Sequence, residues 1–62
     1  MRKYLLTLVD ISRYTWRRMG KSYTATWESE LDAAEAAMEY ESRFNDAGCS
    51  VVRRVIDVRE VQ

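Results

Sequence analysis

The sequence of 62 residues contains no histidine and no proline, and it has one cysteine and two glycines. Without histidine, the usual zinc ligand sets and the Ser-His and Cys-His catalytic pairs cannot be assembled. Cys49 has no second cysteine with which to form an intramolecular disulfide. Gly20 and Gly48 are isolated, so no glycine-rich loop can cradle a phosphate. These absences argue against an enzyme and predict no catalytic residue, no metal and no cofactor.

Long apolar runs are also absent. The run that begins at Tyr4 is ended by Asp10, and no small-residue cleavage site follows it, so it does not match a secretory signal. No stretch approaches the roughly 20 apolar residues that a membrane-spanning helix needs. A single thiol suits a reducing compartment. We therefore expect one small domain, residues 1–62, located in the cytoplasm.

The net charge is zero, but charges of opposite sign are segregated along the chain. Residues 1–24 hold six cations against Asp10 alone, for a net charge of +5. Residues 25–48 hold seven acids against Arg43 alone, for a net charge of −6, and residues 49–62 have a net charge of +1. This segregation predicts a domain with one basic end and one acidic face.

The first half of the chain predicts an antiparallel β-hairpin. Residues 3–10 are rich in aliphatic and β-branched side chains and indicate a strand, which could continue to Trp16. Residues 22–27 alternate Tyr23, Ala25 and Trp27 with serine and threonine, the period-2 pattern of a half-buried strand. Residues 17–21 lie between the strands and include Gly20, which readily adopts a positive φ. The turn is expected there, with arginines at its tip.

Residues 29–48 predict a helix. Ser29 is a suitable N-cap, with Asp32 three residues later, and Gly48 is a suitable residue to end the helix. Helical spacing predicts an apolar side made of Leu31, Ala34, Ala37, Met38 and Phe44, bordered by Ala33, Tyr40 and Ala47. The opposite, acidic side consists of Asp32, Glu35, Glu39 and Asp46. Glu41 falls among the apolar positions and does not fit this division.

Residues 49–58 predict the last strand. Its adjacent arginines, Arg53 and Arg54, must face opposite sides of the sheet, and a β-bulge would reconcile them with the imperfect alternation of the valines. Residues 59–62 are expected to be a frayed tail. The fold class is therefore α+β: a three-stranded antiparallel sheet with one helix packed on it, in the order strand, strand, helix, strand.

The basic hairpin is the first candidate for binding a partner. Arg13, Trp16, Arg17 and Arg18 combine cations with an aromatic ring, a mixture that suits phosphate contact and base stacking. The alternative is that the aromatic side chains cover the sheet while the arginines merely solvate a turn. Because a neighbouring acidic helix would repel a phosphate backbone, a protein is expected as the partner ahead of a nucleic acid.

The acidic helix side is the second candidate. Asp32, Glu35 and Glu39 could contact a basic groove on a partner, as a mimic of nucleic acid does. The alternative is an ordinary solvated helix face.

Arg53 and Arg54 are the third candidate. Arginine is enriched at interfaces, and its planar guanidinium binds carboxylates through two hydrogen bonds. The alternative is an ion pair within the chain, for example with Glu41. If the last strand is an edge, it could also pair with a strand of a partner.

Two segments that together cover about half the chain resemble a known family. They are residues 24–40, Thr-Ala-Thr-Trp-Glu-Ser-Glu-Leu-Asp-Ala-Ala-Glu-Ala-Ala-Met-Glu-Tyr, and residues 47–55, Ala-Gly-Cys-Ser-Val-Val-Arg-Arg-Val. They look like the small phage-encoded inhibitors of host bacterial RNA polymerase, which share the length, the order of elements, the acidic alanine-rich helix and the arginine-bearing last strand. The resemblance implies that last-strand arginines and acidic residues contact the polymerase. Arg53 matches one family arginine, while Val55 stands where the next one lies.

Residues 20–37 are also similar to the sheet-and-helix DNA-binding domains that begin phage tyrosine recombinases, which read the major groove with the sheet. The last strand departs from that pattern.

The sequence thus predicts a small phage-type protein that binds and inhibits a bacterial host protein complex, with RNA polymerase as the first candidate. One alternative is a nucleic-acid-binding module that uses residues 13–21, and another is an anti-CRISPR-type inhibitor of a defence complex. The protein is expected to act in the host cytoplasm, as a monomer or a homodimer.

Overall fold

The computed structural model describes residues 1–45 and 50–61. They form strand β1 (Arg2–Ser12), strand β2 (Arg18–Ser29), helix α1 (Ala33–Asn45) and strand β3 (Val51–Val61). The strands make one antiparallel sheet in the order β2-β1-β3, so the first strand is central. The predicted α+β fold class and element order are confirmed. The expectations for Asp46, Ala47, Gly48 and Cys49 lie outside the described residues.

The core lies between one face of β1 and the helix. Tyr4, Leu6 and Leu8 alternate along β1 and are fully buried, and they pack with Ala36 and Tyr40 of α1. The Tyr4 hydroxyl donates a hydrogen bond of 2.6 Å to the carbonyl oxygen of residue 31, just before the helix. Each large apolar side chain buried in this way contributes about 1.5–3 kcal/mol. The small core therefore both holds and orients the helix.

The buried side of α1 differs from the predicted one. Ala36 and Tyr40 are buried, whereas Ala34 is exposed and Met38 is 67% exposed. The aromatic side chains determine this orientation, since the Tyr40 ring lies 5.3 Å from that of Trp27 and 4.4 Å from that of Phe44, centroid to centroid. Helical spacing placed Tyr40 only at the border of the apolar side, because it weighted every apolar residue alike.

The predicted helix start is also wrong. Ser29 is the last residue of β2, and its Oγ accepts a hydrogen bond of 3.1 Å from the amide of Leu31. Asp32 is the N-cap: its Oδ1 accepts a hydrogen bond of 3.0 Å from the amide of Glu35. A carboxylate at this position also complements the helix dipole. Ser29 instead ends the strand and turns the chain toward the helix.

The hairpin turn lies earlier than predicted. It consists of residues 13–17, and residues 18–21 of the expected turn begin β2 instead. Gly20 does have a positive φ, of 77°, but it lies where the pairing shifts from Leu8↔Tyr23 to Asp10↔Met19. Its conformational freedom serves a bulge in the strand, and not the turn.

Strand β3 contains the predicted bulge and extends further than expected. Thr7 pairs with Asp57 and Leu8 with Val55, which leaves Ile56 without a partner residue in β1. Pairing continues to Lys3↔Val61, so the expected frayed tail from residue 59 is wrong for residues 59–61. The central strand supplies a partner for every residue of β3 except Ile56.

The orientation of α1 can be tested with two equivalent substitutions. Ala36→Leu should lower the free energy of unfolding by about 1–3 kcal/mol, because a larger side chain overpacks a fully buried site. Ala34→Leu should change it by less than about 0.5 kcal/mol, because Ala34 is exposed. Urea unfolding followed by circular dichroism measures both, and an equal loss in the two variants would contradict the orientation.

Candidate functional site

The connection between β1 and β2 is an ordered loop built around Ser12. We call residues 13–18 the hairpin tip. The Ser12 amide donates a hydrogen bond of 2.9 Å to the Arg17 carbonyl, and the Trp16 amide donates one of 2.7 Å to the Ser12 carbonyl. The Ser12 Oγ accepts hydrogen bonds of 3.3 Å from the amides of Tyr14 and Thr15. These bonds fix the backbone of the hairpin tip.

Two aromatic side chains project from this loop into solvent. Trp16 is 66% exposed and Tyr14 is 83% exposed. Trp16 has a φ of 57°, in the left-handed region that usually belongs to glycine or asparagine. The alternative in which the aromatic residues of the tip cover the sheet is therefore wrong for these two. Sequence reasoning missed Tyr14 as a binding residue, although its position between cations is a signal for one.

Three arginines lie in the same loop as these rings. Arg13, Arg17 and Arg18 are all exposed. The amide of Arg13 donates a hydrogen bond of 2.9 Å to the Ser50 carbonyl, and its guanidinium lies 3.5 Å from the Asn45 carbonyl. The predicted tip cations thus do come together, in the same loop as two exposed rings.

The acidic start of the helix lies at the other end of the sheet from the hairpin tip. Helix α1 begins beside Tyr4 and ends at Asn45, which bonds Arg53 opposite Asp10. The eight residue-to-residue steps from Tyr4 to Ser12 span about 26 Å at about 3.3 Å per step. The expectation that the acidic helix lies a few ångströms from the tip is therefore wrong for Glu30, Asp32 and Glu35.

Two of the three carboxylates selected on the acidic helix side accept hydrogen bonds within the chain. Asp32 caps the helix, and the Glu39 carboxylate accepts a hydrogen bond of 2.8 Å from the Trp27 indole Nε1. Glu35 is exposed. A partner that used all three would have to compete with two intramolecular hydrogen bonds.

The side chain of Arg53 is also committed to the fold. Its guanidinium lies 3.6 Å from Asp10, donates a hydrogen bond of 3.2 Å to the Tyr40 hydroxyl, and lies over the Phe44 ring at 4.9 Å. The hydrogen bond to Tyr40 is the main cause that raises the pKa of Arg53 above its ordinary value. Arg53 thus stays charged, and its contacts hold β3 against β1 and the helix.

The helix also covers the backbone of β3. The side-chain amide of Asn45 donates a hydrogen bond of 2.9 Å to the Arg53 carbonyl and accepts one of 2.8 Å from the backbone N–H of Arg53. The Glu41 carboxylate accepts a hydrogen bond of 2.7 Å from the Val55 amide and lies 3.7 Å from Arg54. Glu41 lies among apolar helix positions because its carboxylate binds the backbone of β3. Arg54 forms the ion pair with Glu41 that was the alternative to binding a partner. Sequence reasoning missed Asn45 altogether.

Tyr23 completes this cluster from β2. Its hydroxyl donates a hydrogen bond of 2.6 Å to the Asp10 carboxylate, and the Arg53 guanidinium lies 5.5 Å from its ring. Burial, and then the hydrogen bond to Asp10, raise the pKa of Tyr23 to about 12. The phenol therefore keeps its proton over the physiological range.

Other surfaces of the described residues offer little chemistry. An open groove of about 980 Å³ between β2 and α1 is lined by residues that include Trp27, Leu31 and Arg43. Residues 1–45 and 50–61 contain no acidic cluster placed to hold a metal ion and no buried side-chain polar atom without a hydrogen bond. Their single helix, of 13 residues, is not of a length and apolarity to cross a bilayer.

The commitment of Arg53 can be tested against its neighbour. Arg53→Ala should lower the free energy of unfolding by about 1–3 kcal/mol, because it removes the ion pair with Asp10 and the hydrogen bond to the buried Tyr40 hydroxyl. Arg54→Ala should cost less than about 0.5 kcal/mol, because its pairing with Glu41 is solvent-exposed. Urea unfolding compares the two, and equal losses would show that Arg53 is not the central residue.

The raised pKa of Tyr23 predicts a pH dependence of stability. An unfolded tyrosine loses its proton near pH 10, and folded Tyr23 does so near 12. Its contribution is therefore complete below pH 10 and is lost as the pH rises from 10 to 12. Tyr23→Phe should cost about 1–3 kcal/mol at neutral pH, and the difference from wild type should shrink over that window. A difference that stays constant in alkaline unfolding titrations would contradict the Tyr23–Asp10 hydrogen bond.

The chain has no match among protein-family models, curated proteins or solved structures. The candidate site therefore depends on its own geometry. Of the nine side chains selected from the sequence, the structure gathers Arg13, Trp16, Arg17 and Arg18 at the hairpin tip. It places Asp32, Glu39, Arg53 and Arg54 in intrachain contacts and leaves Glu35 exposed.

Proposed function

We propose that the protein is a small phage-type inhibitor that binds a bacterial host protein complex, with RNA polymerase as the first candidate, and that the hairpin tip is its binding surface. One observation carries the proposal: Trp16 and Tyr14 are exposed on an ordered loop among three arginines. Tryptophan, tyrosine and arginine are the residues that most often dominate the energy of protein interfaces. An ordered loop also loses less conformational entropy when it binds.

The backbone at Trp16 supports a role outside folding. A residue other than glycine in the left-handed region costs about 1–3 kcal/mol, and such strain is concentrated at functional sites. The side chain does not recover this cost by burial, since two thirds of it is exposed. A contact made by Trp16 with a partner would account for its presence there.

The inhibitory activity and the polymerase target are supported by the resemblance of residues 24–40 and 47–55 to phage inhibitors of RNA polymerase. The contact implied for Arg53 does not transfer directly, because this side chain is held by Asp10 and Tyr40. The exposed arginines of the hairpin tip supply a basic surface in its place. An anti-CRISPR-type inhibitor would use the same surface on a different bacterial complex.

Single-stranded nucleic acid is a second candidate ligand. The observation that favours it is the separation of the hairpin tip from the acidic start of the helix, which removes the main source of repulsion for a phosphate backbone. Arginines would contact phosphates, and the rings of Tyr14 and Trp16 would stack on bases. This mode predicts an affinity that falls steeply as salt is raised.

Substitution of Trp16 tests the binding surface. Trp16→Gly should weaken binding to purified bacterial RNA polymerase at least tenfold, as expected for the loss of a central interface residue. It should leave the free energy of unfolding within about 1 kcal/mol of wild type, because relief of the left-handed backbone offsets the entropy of glycine in the unfolded chain. Interferometry and urea unfolding measure the two quantities.

Met38→Ala is the matched control, because Met38 is 67% exposed but lies on the helix. It should leave binding unchanged. Equal affinity of the Trp16→Gly variant and wild type would exclude the hairpin tip. Binding to a mixed-sequence DNA oligonucleotide with a steep salt dependence, and none to the polymerase, would replace the protein target by the second candidate. Failure to bind either probe would overturn both.

A further inference from the structure

The helix covers the backbone of one edge strand of the sheet, β3, and the other edge strand is β2. On β3, the N–H and C=O of Arg53 and the N–H of Val55 point away from β1 and are bonded by Asn45 and Glu41 of the helix. These side chains occupy the positions that a neighbouring strand would fill. The edge of β3 is therefore covered over this stretch.

Among residues 1–45 and 50–61, no side chain covers the outer edge of β2 in this way. Since the backbone groups of Arg53 point away from β1, those of its partner Asp10 point toward β2, and alternation extends this to Leu8, Leu6 and Tyr4. In β2, Tyr23, Ala25 and Trp27 lie opposite Leu8, Leu6 and Tyr4. Their backbone N–H and C=O groups therefore point toward β1. The intervening residues, Ser22, Thr24, Thr26 and Glu28, direct their N–H and C=O groups outward, and all four are exposed.

The composition of this edge suits strand pairing. Residues 22–27, Ser-Tyr-Thr-Ala-Thr-Trp, contain no charge, no proline and no glycine. Tyrosine, threonine and tryptophan are strong strand formers. Natural edge strands that avoid pairing usually carry a lysine, a proline or a bulge within the exposed stretch. Here the bulge and Lys21 lie before residue 22, and the edge beyond them is regular.

The charges at the two ends of this stretch identify the partner. Lys21 and Arg18 precede it, and Glu28 and Glu30 follow it. A second copy placed antiparallel brings the basic end of one strand against the acidic end of the other, and does so twice about a two-fold axis. A parallel copy would set like charges together. We infer that the protein forms a homodimer in which the β2 edges of two copies pair antiparallel into a continuous six-stranded sheet.

The register that best uses these features centres the two-fold axis on Ala25. Thr24 then pairs with the partner's Thr26, and Tyr23 lies opposite the partner's Trp27, an aromatic pair of the kind that stabilises antiparallel sheets. Glu28 lies directly opposite the partner's Ser22, one residue from the partner's Lys21. Each helix lies on one face of its own sheet, where it contacts Trp27 and β3, and the four outward-facing residues of the β2 edge remain exposed.

The dimer would place the two hairpin tips at opposite ends of the extended sheet. Arg18 is seven residues from Ala25, so the tips are separated by roughly 45 Å at about 3.3 Å per residue. One hairpin tip is sufficient to bind a partner, so the proposed function does not require the dimer. Either proposal can therefore fail while the other holds.

Sedimentation equilibrium tests the dimer with three variants. Wild type should show twice the chain mass of 7.3 kDa at high concentration. Thr24→Pro should be monomeric with unchanged circular dichroism, since its N–H points away from β1. Ser22→Glu should weaken dimerisation at least tenfold by placing a like charge opposite the partner's Glu28. Ser22→Glu combined with Glu28→Lys should restore it.

A wild-type chain that remains monomeric up to millimolar concentration would overturn the inference. So would a Thr24→Pro variant that still dimerises, or a double variant that does not recover the affinity lost by Ser22→Glu. If Thr24→Pro fails to fold, the charge pair still decides the question, because Ser22 and Glu28 are exposed. Trp16→Gly should leave the dimer unchanged, which separates this interface from the hairpin tip.

Discussion

Arg53 ties all four elements together. It lies on β3, its guanidinium faces Asp10 of β1 and bonds Tyr40 of α1, and Tyr23 of β2 reaches the same Asp10. Its backbone is held at the same time by Asn45 at the end of the helix. A chain of this size buries a small core and has no disulfide, so such a polar cluster beside the apolar core decides which arrangement of helix and sheet is stable.

The asymmetry of the molecule follows from this cluster. Because Asn45 fixes the end of the helix against β3, the start of the helix and its carboxylates lie beside the opposite end of the sheet. The hairpin tip is left with cations and exposed rings, and none of the described residues covers the β2 edge. The segregation of charge along the chain thus becomes a separation in space between the basic hairpin tip and the acidic start of the helix.

The sheet, the helix and their order were predictable because each rests on a long periodic pattern, such as the alternation over residues 22–27. The turn was not, because Gly20 is the stronger turn signal, although its positive φ is used in a bulge. The cations and tryptophan of the candidate site were visible in composition alone. Their separation from the acidic helix was not, because it depends on helix direction, and Asn45, which sets that direction, looks like any solvated amide at a helix end.

The left-handed backbone at Trp16 separates selection for folding from selection for function. Among variants chosen only for a stable fold, position 16 should drift toward glycine or asparagine, which adopt this conformation at little cost. Tryptophan should persist only among variants that are also selected for binding through the hairpin tip. The residue frequencies at this single loop position would therefore record, across generations, whether the hairpin tip is in use.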